Sequence, residues 1–381
     1  MPTRTERVPL LSPAPGTERS LLVHRYGEPG ARPRAYLHAA LHADEWPGLL
    51  VLQHLMGFLD EALARGEVIG EVVVVPFANP VGLAQAVNQH LLGRYDLAAG
   101  GNFNRDFPDL AATVVERIDG RVGRDPHENV ACVRALLAEA AAALPRGTES
   151  EMLKAVLLEL STPSDLVFDL HCDSEALAHV YALERQRGLA TELADELGAP
   201  VVLLEEDPGG NAFDQANSSP WRTLAERSGP GDPIPMACFA TTVELRGVAD
   251  VRDDYAGTDA RALYRFMQRR GVIAGDPGPL PAPRCQVSPL EGMDVVAAPA
   301  AGIVVYRKQL GDVVAVDEVV AELVTLTGND PRAGRAEIRS RARGVLFSCM
   351  AERFVRPGQS ICKIAGAEKL DHRIDGNLLG D

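Results

Sequence analysis

Over residues 1–275, short apolar runs alternate with longer stretches of helical texture, and this alternation limits the fold more than any other feature. The strand-like runs are 35–41, 72–77, 166–170, 200–204 and 241–245. Helix-like stretches lie between and after them at 48–65, 127–144, 150–160, 184–197 and 259–270. Such a succession predicts an α/β fold with a mixed, largely parallel sheet flanked by helices. Sheets of this kind carry functional residues at strand ends and in the loops that follow. Residues 276–284 continue a Pro/Gly-rich linker. Beyond it, 285–366 turns into short Val- and Ile-rich segments, which predicts a second, smaller all-β domain; 367–381 reads as a tail.

The β-region repeats itself. Gly302-Ile-Val-Val-Tyr306 matches Gly344-Val-Leu-Phe-Ser348, and 313–323 matches 354–364. Two copies of one β-unit predict a small pseudo-symmetric barrel or sandwich. Residues 285–366 carry ten Lys/Arg and nine Asp/Glu, so the surplus behind the net charge of -15 lies on the α/β part. That surplus argues against a general nucleic-acid binder. No apolar run approaches the ~18–20 residues of a membrane span, so no membrane partner is expected. Six cysteines without a C-x-x-C pair read as free thiols, and residues 1–20 contain no apolar signal region. Both point to a cytoplasmic protein.

One stretch draws chemical interest. In Tyr36-Leu-His-Ala-Ala-Leu-His-Ala-Asp-Glu-Trp-Pro-Gly48, His42 and Glu45 sit three apart where a strand gives way to a helix. His171 closes another apolar run, and two strand ends of one sheet can lie side by side. His42, Glu45 and His171 can therefore converge as a His₂Glu set, a known arrangement for catalytic zinc with an open position. The H-x-x-E pattern alone is weak, and a structural histidine satisfies it equally. His38 reads as a structural side chain. Histidines 24, 54, 90, 179 and 372 have no partner pattern, and His127 opens a helix without completing HExxH.

Further along, Gly101-Asn-Phe-Asn-Arg-Asp-Phe-Pro108 sets Asn104 beside Arg105, with Arg94 upstream. Such a pair suits a carboxylate, although a solvated loop would look the same. Glu244 ends the run Thr241-Thr-Val-Glu-Leu; a surface ion pair is its other reading. Residues 203–221 read as a long loop whose Glu205, Glu206 and Asp207 could attract a cationic group or stand solvated.

Together, HADE (42–45), NFNRDFP (102–108), DLHCD (169–173) and TVELRG (242–247) resemble the succinylglutamate desuccinylase/aspartoacylase family, within the zinc carboxypeptidase-like superfamily. The resemblance covers most of 20–270. It implies one Zn2+ per chain on His42, Glu45 and His171, with Glu244 as general base. It also implies that Arg94 polarises the scissile carbonyl and that Asn104 and Arg105 hold the substrate carboxylate. Asp169 would support a ligand imidazole or serve the strand. The expected activity is hydrolysis of a carbon–nitrogen amide bond, releasing the acyl group of an N-acyl amino acid. A carboxypeptidase acting on short peptides, or a non-catalytic binder on a hydrolase fold, is the alternative. Cobalt, manganese or nickel would also suit the donor set. The β-region resembles the biotinyl/lipoyl-like fold. It has no lysine between Lys308 and Lys363, where carriers attach their cofactor. A role at the cleft mouth or in a homo-oligomer interface is expected instead.

Overall fold

The computed structural model describes residues 4–206, 209–326 and 334–373. Its centre is a nine-stranded sheet, in the order Arg4–Pro9, Ser20–Tyr26, Glu71–Val75, Arg34–Ala39, Leu166–Asp173, Phe239–Gly247, His179–Leu183, Val201–Glu205 and Gln286–Pro289. The four strands from Glu71–Val75 to Phe239–Gly247 run parallel. His179–Leu183 is antiparallel to Phe239–Gly247 and parallel to Val201–Glu205.

Runs such as Val72-Val-Val-Val75 are continuously apolar because both sheet faces are covered. One face presents Ala35, Leu37, Ala39, Leu166, Phe168, Leu170, Val243 and Leu245 to the helices Pro47–Ala64, Arg187–Leu197 and Asp253–Arg269. The first of these helices begins with Pro at its first turn and buries Val51, Leu52, Leu55 and Leu59. Each such leucine contributes roughly 1.5–3 kcal/mol by leaving water. The other face packs Tyr36, Val73, Val75 and Val167 under the helices Leu110–Val115, Pro126–Ala142, Glu149–Ser161 and Phe213–Arg227. Successive side chains on a strand alternate between faces. On this second face the apolar positions give way to His38, Asp169, His171, Asp173 and Glu244 toward the strands' carboxyl ends.

The long loop expected at 203–221 is corrected in part: Phe213–Arg227 is a helix. Pro220 lies inside it and removes one backbone donor. Packing of Phe213, Ala216, Trp221 and Leu224 in the core outweighs that loss. Glu205 is buried, with Gln215 Nε2 donating to its Oε1 at 3.2 Å, rather than solvated. Glu206 is exposed, and Asp207 lies outside the described residues.

After 274–285, which holds no helix or strand, Gln286–Pro289 joins the edge of the large sheet beside Val201–Glu205. The rest forms two small antiparallel sheets. The succession Met293–Ala297, Gly302–Tyr306, Val313–Val314, Val319–Val324 recurs as Arg335–Arg339, Gly344–Cys349, Phe354–Val355, Ser360–Gly366. Each small sheet draws strands from both copies. Tyr181, Val201 and Leu203 of the large sheet pack against Leu290, Met293, Phe347 and Ala365, which fastens the β-unit to the large sheet.

Gly48 brings the helix Pro47–Ala64 close against the sheet. A Cβ there would lie 2.9 Å from Ala39 Cβ and 3.1 Å from Leu170 Cβ. Gly48→Val is expected to lower stability by about 1–3 kcal/mol through overpacking. Gly57→Ala, on the open side of the same helix, should raise it by roughly 0.5–1 kcal/mol. Urea unfolding of the two variants measures both.

Candidate metal centre

The centre starts at a turn. After Arg34–Ala39 the chain passes through Ala40, a non-glycine residue at φ 56°. Such strained positions persist where the surroundings fix them. Glu45 N then donates to His42 O at 3.1 Å, closing a turn that aims both side chains the same way. Ala43 N donates to Gly93 O at 3.0 Å, and a Cβ on Gly93 would stand 2.6 Å from Asp44 N. Only glycine lets the second segment lie this close.

His171 reaches the turn from the neighbouring strand. His42 Nδ1 is 2.9 Å from Glu45 Oε1, and His171 Nδ1 is 2.7 Å from Glu45 Oε2. All three residues are buried, and one donor atom from each lies within 4.8 Å of the others. The outer nitrogens are fixed by acceptors. His42 Nε2 is 2.7 Å from Asn102 Oδ1, and His171 Nε2 is 2.7 Å from Asp169 Oδ1. An amide oxygen and a carboxylate only accept, so each Nε2 carries the hydrogen. In the neutral imidazoles each Nδ1 then turns a lone pair toward the carboxylate. Three acceptors facing one point repel unless a cation stands among them, and this donor set fits a divalent metal ion.

The charges agree with this demand. Burial, and then Arg94, lowers the His42 pKa to about 4. Burial would lower His171 too, but Asp169 and Glu45 overcome it and hold its pKa well above the usual value. Burial would raise Glu45, yet His42 and His171 hold it well below the ordinary carboxylate range. His171 and Arg94 thus set positive charge beside the acid, while His42 stays in its neutral form.

Asp169 is the support beneath. It is wholly buried and accepts from His38 Nε2 at 2.6 Å, while Asn104 Nδ2 donates to its second oxygen at 3.1 Å. Tyr36 Oη lies 3.1 Å from His38 Nδ1 and continues the chain of bonds. His38 thus carries the support of His171 one residue further. Asn102 was not singled out from sequence. Its place two residues before Asn104 in a Gly-containing loop was the only signal.

The remaining candidates lie at or beside the cluster. Arg94 Nη1 donates to Glu45 Oε1 at 3.2 Å and is 3.2 Å from His42 Nδ1. Asn104 is buried, and both its polar atoms are engaged. Its Nδ2 lies 3.1 Å from His171 Nε2, and its Oδ1 accepts from Phe213 N at 2.8 Å. Arg105 follows it, half-buried, with Nη1 donating to Asn104 O at 2.8 Å. Glu244 pairs with His171 across neighbouring strands and points to the same face. Its Oε2 is buried without a hydrogen-bond partner among the described residues. Burial, and then Glu45, raises the Glu244 pKa to about 8. Past Glu244 the strand bulges, with Arg246 at φ 66° anchored by two bonds to Asp259 of 2.6 and 2.9 Å.

Known proteins resemble this chain in sequence and in fold. Residues 31–131 match the succinylglutamate desuccinylase/aspartoacylase catalytic domain. That span holds His42, Glu45, Arg94, Asn104 and Arg105. The crystal structure of a succinylglutamate desuccinylase/aspartoacylase family protein from Shewanella amazonensis is 28% identical, covers 96% of this chain and 98% of its own, and superposes with a TM-score of 0.81. A succinylglutamate desuccinylase/aspartoacylase from Rhodobacter sphaeroides shares the fold at 18% identity, with 96% of both chains covered and a TM-score of 0.66. The product-bound ectoine utilization protein EutE (DoeB) from Ruegeria pomeroyi shares it at 17% identity, with 96% and 94% covered and a TM-score of 0.67. No curated protein matches the chain significantly. No helix among the described residues is long and apolar enough to cross a membrane.

If the buried carboxylate orients His171 for a metal, Asp169→Asn should weaken divalent-metal affinity about 10–100-fold. Competition against a chromophoric chelator measures this; unchanged affinity would separate Asp169 from the centre.

Proposed function

We propose that the chain is a zinc-dependent amidohydrolase of the succinylglutamate desuccinylase/aspartoacylase family, releasing the acyl group of an N-acyl amino acid. The observation that carries this reading is the convergence of His42, Glu45 and His171 beside Glu244, whose Oε2 has no hydrogen-bond partner among the described residues. His42 Nδ1, Glu45 and His171 Nδ1 would hold the zinc. When bound, the ion supplies Lewis acidity and brings the pKa of water toward ~7.

The chain's own residues supply the rest. Glu244 Oε2 takes a proton from the attacking water and returns it to the leaving amine nitrogen. A carboxylate poised near neutrality suits both halves of that transfer. Arg94 donates to the carbonyl oxygen as negative charge develops there, from a guanidinium that Glu45 already holds in place. Arg105 receives the substrate's carboxylate and fixes the amide relative to Glu244. Asn104 can join Arg105 only by giving up its bonds to Asp169 and Phe213, so its larger part is to hold His171.

In this reading 1–275 is the catalytic unit and 276–284 the linker. Residues 285–366, whose first strand Gln286–Pro289 lies at the edge of the large sheet, supply a biotinyl/lipoyl-like β-unit without a carrier role, and 367–381 is the tail.

Metal analysis and hydrolysis assays test the proposal together. Wild type should carry about one zinc per chain, and His171→Ala should lose or weaken it. Chelation should abolish hydrolysis. Glu244→Gln should keep the metal while turnover falls about 10²–10⁴-fold, because the lost group moves a proton. N-acyl amino acids should be cleaved in preference to short peptides; the reverse preference would make the protein a carboxypeptidase.

A further inference from the structure

The segment that follows His171 is tied at nearly every residue to the C-terminal β-unit. Asp173 Oδ2 accepts from Lys363 Nζ at 2.6 Å and from Ser348 Oγ at 2.7 Å. Ser174 Oγ accepts from Ala351 N at 2.8 Å, and Glu175 Oε2 from Arg353 Nη2 at 2.7 Å. Glu175 and Ala176 pair as a short strand with Cys349 and Ser348, and Leu177 N donates to Phe347 O at 2.8 Å. Asp173 lies two residues beyond His171 on one strand, so the two side chains share a face.

The same contacts reach the Glu244 strand. Gly247 is opposite Asp173, and a Cβ on it would meet Ser174 O at 2.9 Å. Glu244 pairs on its other side with His179, whose ring meets Phe347 of the β-unit edge-on at 4.8 Å. The β-unit therefore bears on both strands that carry the chemistry.

The Lys363 ammonium meets a protein carboxylate, so its charge is compensated within the fold rather than offered to a substrate anion. Buried pairs of this kind add little net stability, because desolvation cancels most of the attraction; fixing geometry is the better-founded use. We propose that Lys363, with Ser348, is a positioning residue of the active centre: through Asp173 the C-terminal β-unit fixes the end of the His171 strand. This rests on the metal reading above.

The test uses the full chain and two readouts, metal affinity by competition titration and the split between kcat and KM. Lys363→Met should weaken metal affinity about tenfold and lower kcat, with KM unchanged. Lys363→Arg should recover most of both. Lys308→Met, which breaks a pair with Glu318 elsewhere in the β-unit, should leave both at wild-type values. Ser348→Ala removes one of the two side-chain bonds on Asp173 Oδ2 with little change in shape. It should move affinity and kcat in the same direction by a smaller factor, and it serves if Lys363→Met does not fold. Wild-type affinity and kcat in Lys363→Met, or in Ser348→Ala where only that variant folds, overturns the proposal. So does a change confined to KM, which would make Lys363 a substrate contact. Absence of metal from the wild type would instead overturn the hydrolase reading itself.

Discussion

The strand Leu166–Asp173 is covered on both faces, and its two-residue period divides the labour of the molecule. Leu166, Phe168 and Leu170 enter the core under three helices. On the opposite face Asp169, His171 and Asp173 stand in a row. A buried carboxylate costs several kcal/mol unless its oxygens are satisfied. Asp169 meets that condition with His38, His171 and Asn104, drawn from two strands and a loop. The placement of His171 therefore depends on three separate parts of the fold being in register. A one-residue slip would turn the whole row into the apolar layer.

What Asp169 does from below, Asn102 does from the side. Both consume the Nε2 hydrogens of their imidazoles and leave lone pairs turned toward Glu45. This explains why Arg94 leans into the cluster and why His171 tends toward its charged form: each is a positive charge drawn to a point surrounded by acceptors. Glu244 stands just outside that point. Burial, and then the Glu45 charge, make its carboxyl harder to ionise, and its Oε2 gains no hydrogen-bond partner among the described residues.

Much of this was legible in the residues. Apolar runs and helical texture placed the alternating layers, because burial of both sheet faces forces a continuous apolar pattern. The H-x-x-E spacing at a strand end marked the turn. Other parts were not legible, for physical reasons. Phe213, Ala216, Trp221 and Leu224 have helical spacing, yet glycines upstream and Pro220 within hide it; tertiary packing, not propensity, forms that helix. The engagement of Asn104 by Phe213 N could not be foreseen while that helix read as a loop. Nor does any local pattern reveal that Lys363 meets Asp173, since the two are 190 residues apart.

The internal repeat sharpens this last point. In the alignment of the two copies, Ser348 corresponds to Tyr306 and Lys363 to Glu322. The first-copy residues serve the β-unit itself. Tyr306 Oη donates to Ile361 O at 2.6 Å, and Glu322 Oε2 accepts from Arg307 and Arg335 at 2.8 and 2.6 Å. A pseudo-symmetric unit has two equivalent surfaces, but a single neighbouring sheet can cover only one. Backbone pairing can repeat, because it depends on strand geometry alone. The side chains at equivalent positions cannot, because Ser348 and Lys363 answer a carboxylate of the large sheet while Tyr306 and Glu322 answer groups within their own unit. The asymmetry between the copies is thus a direct record of which surface meets Asp173.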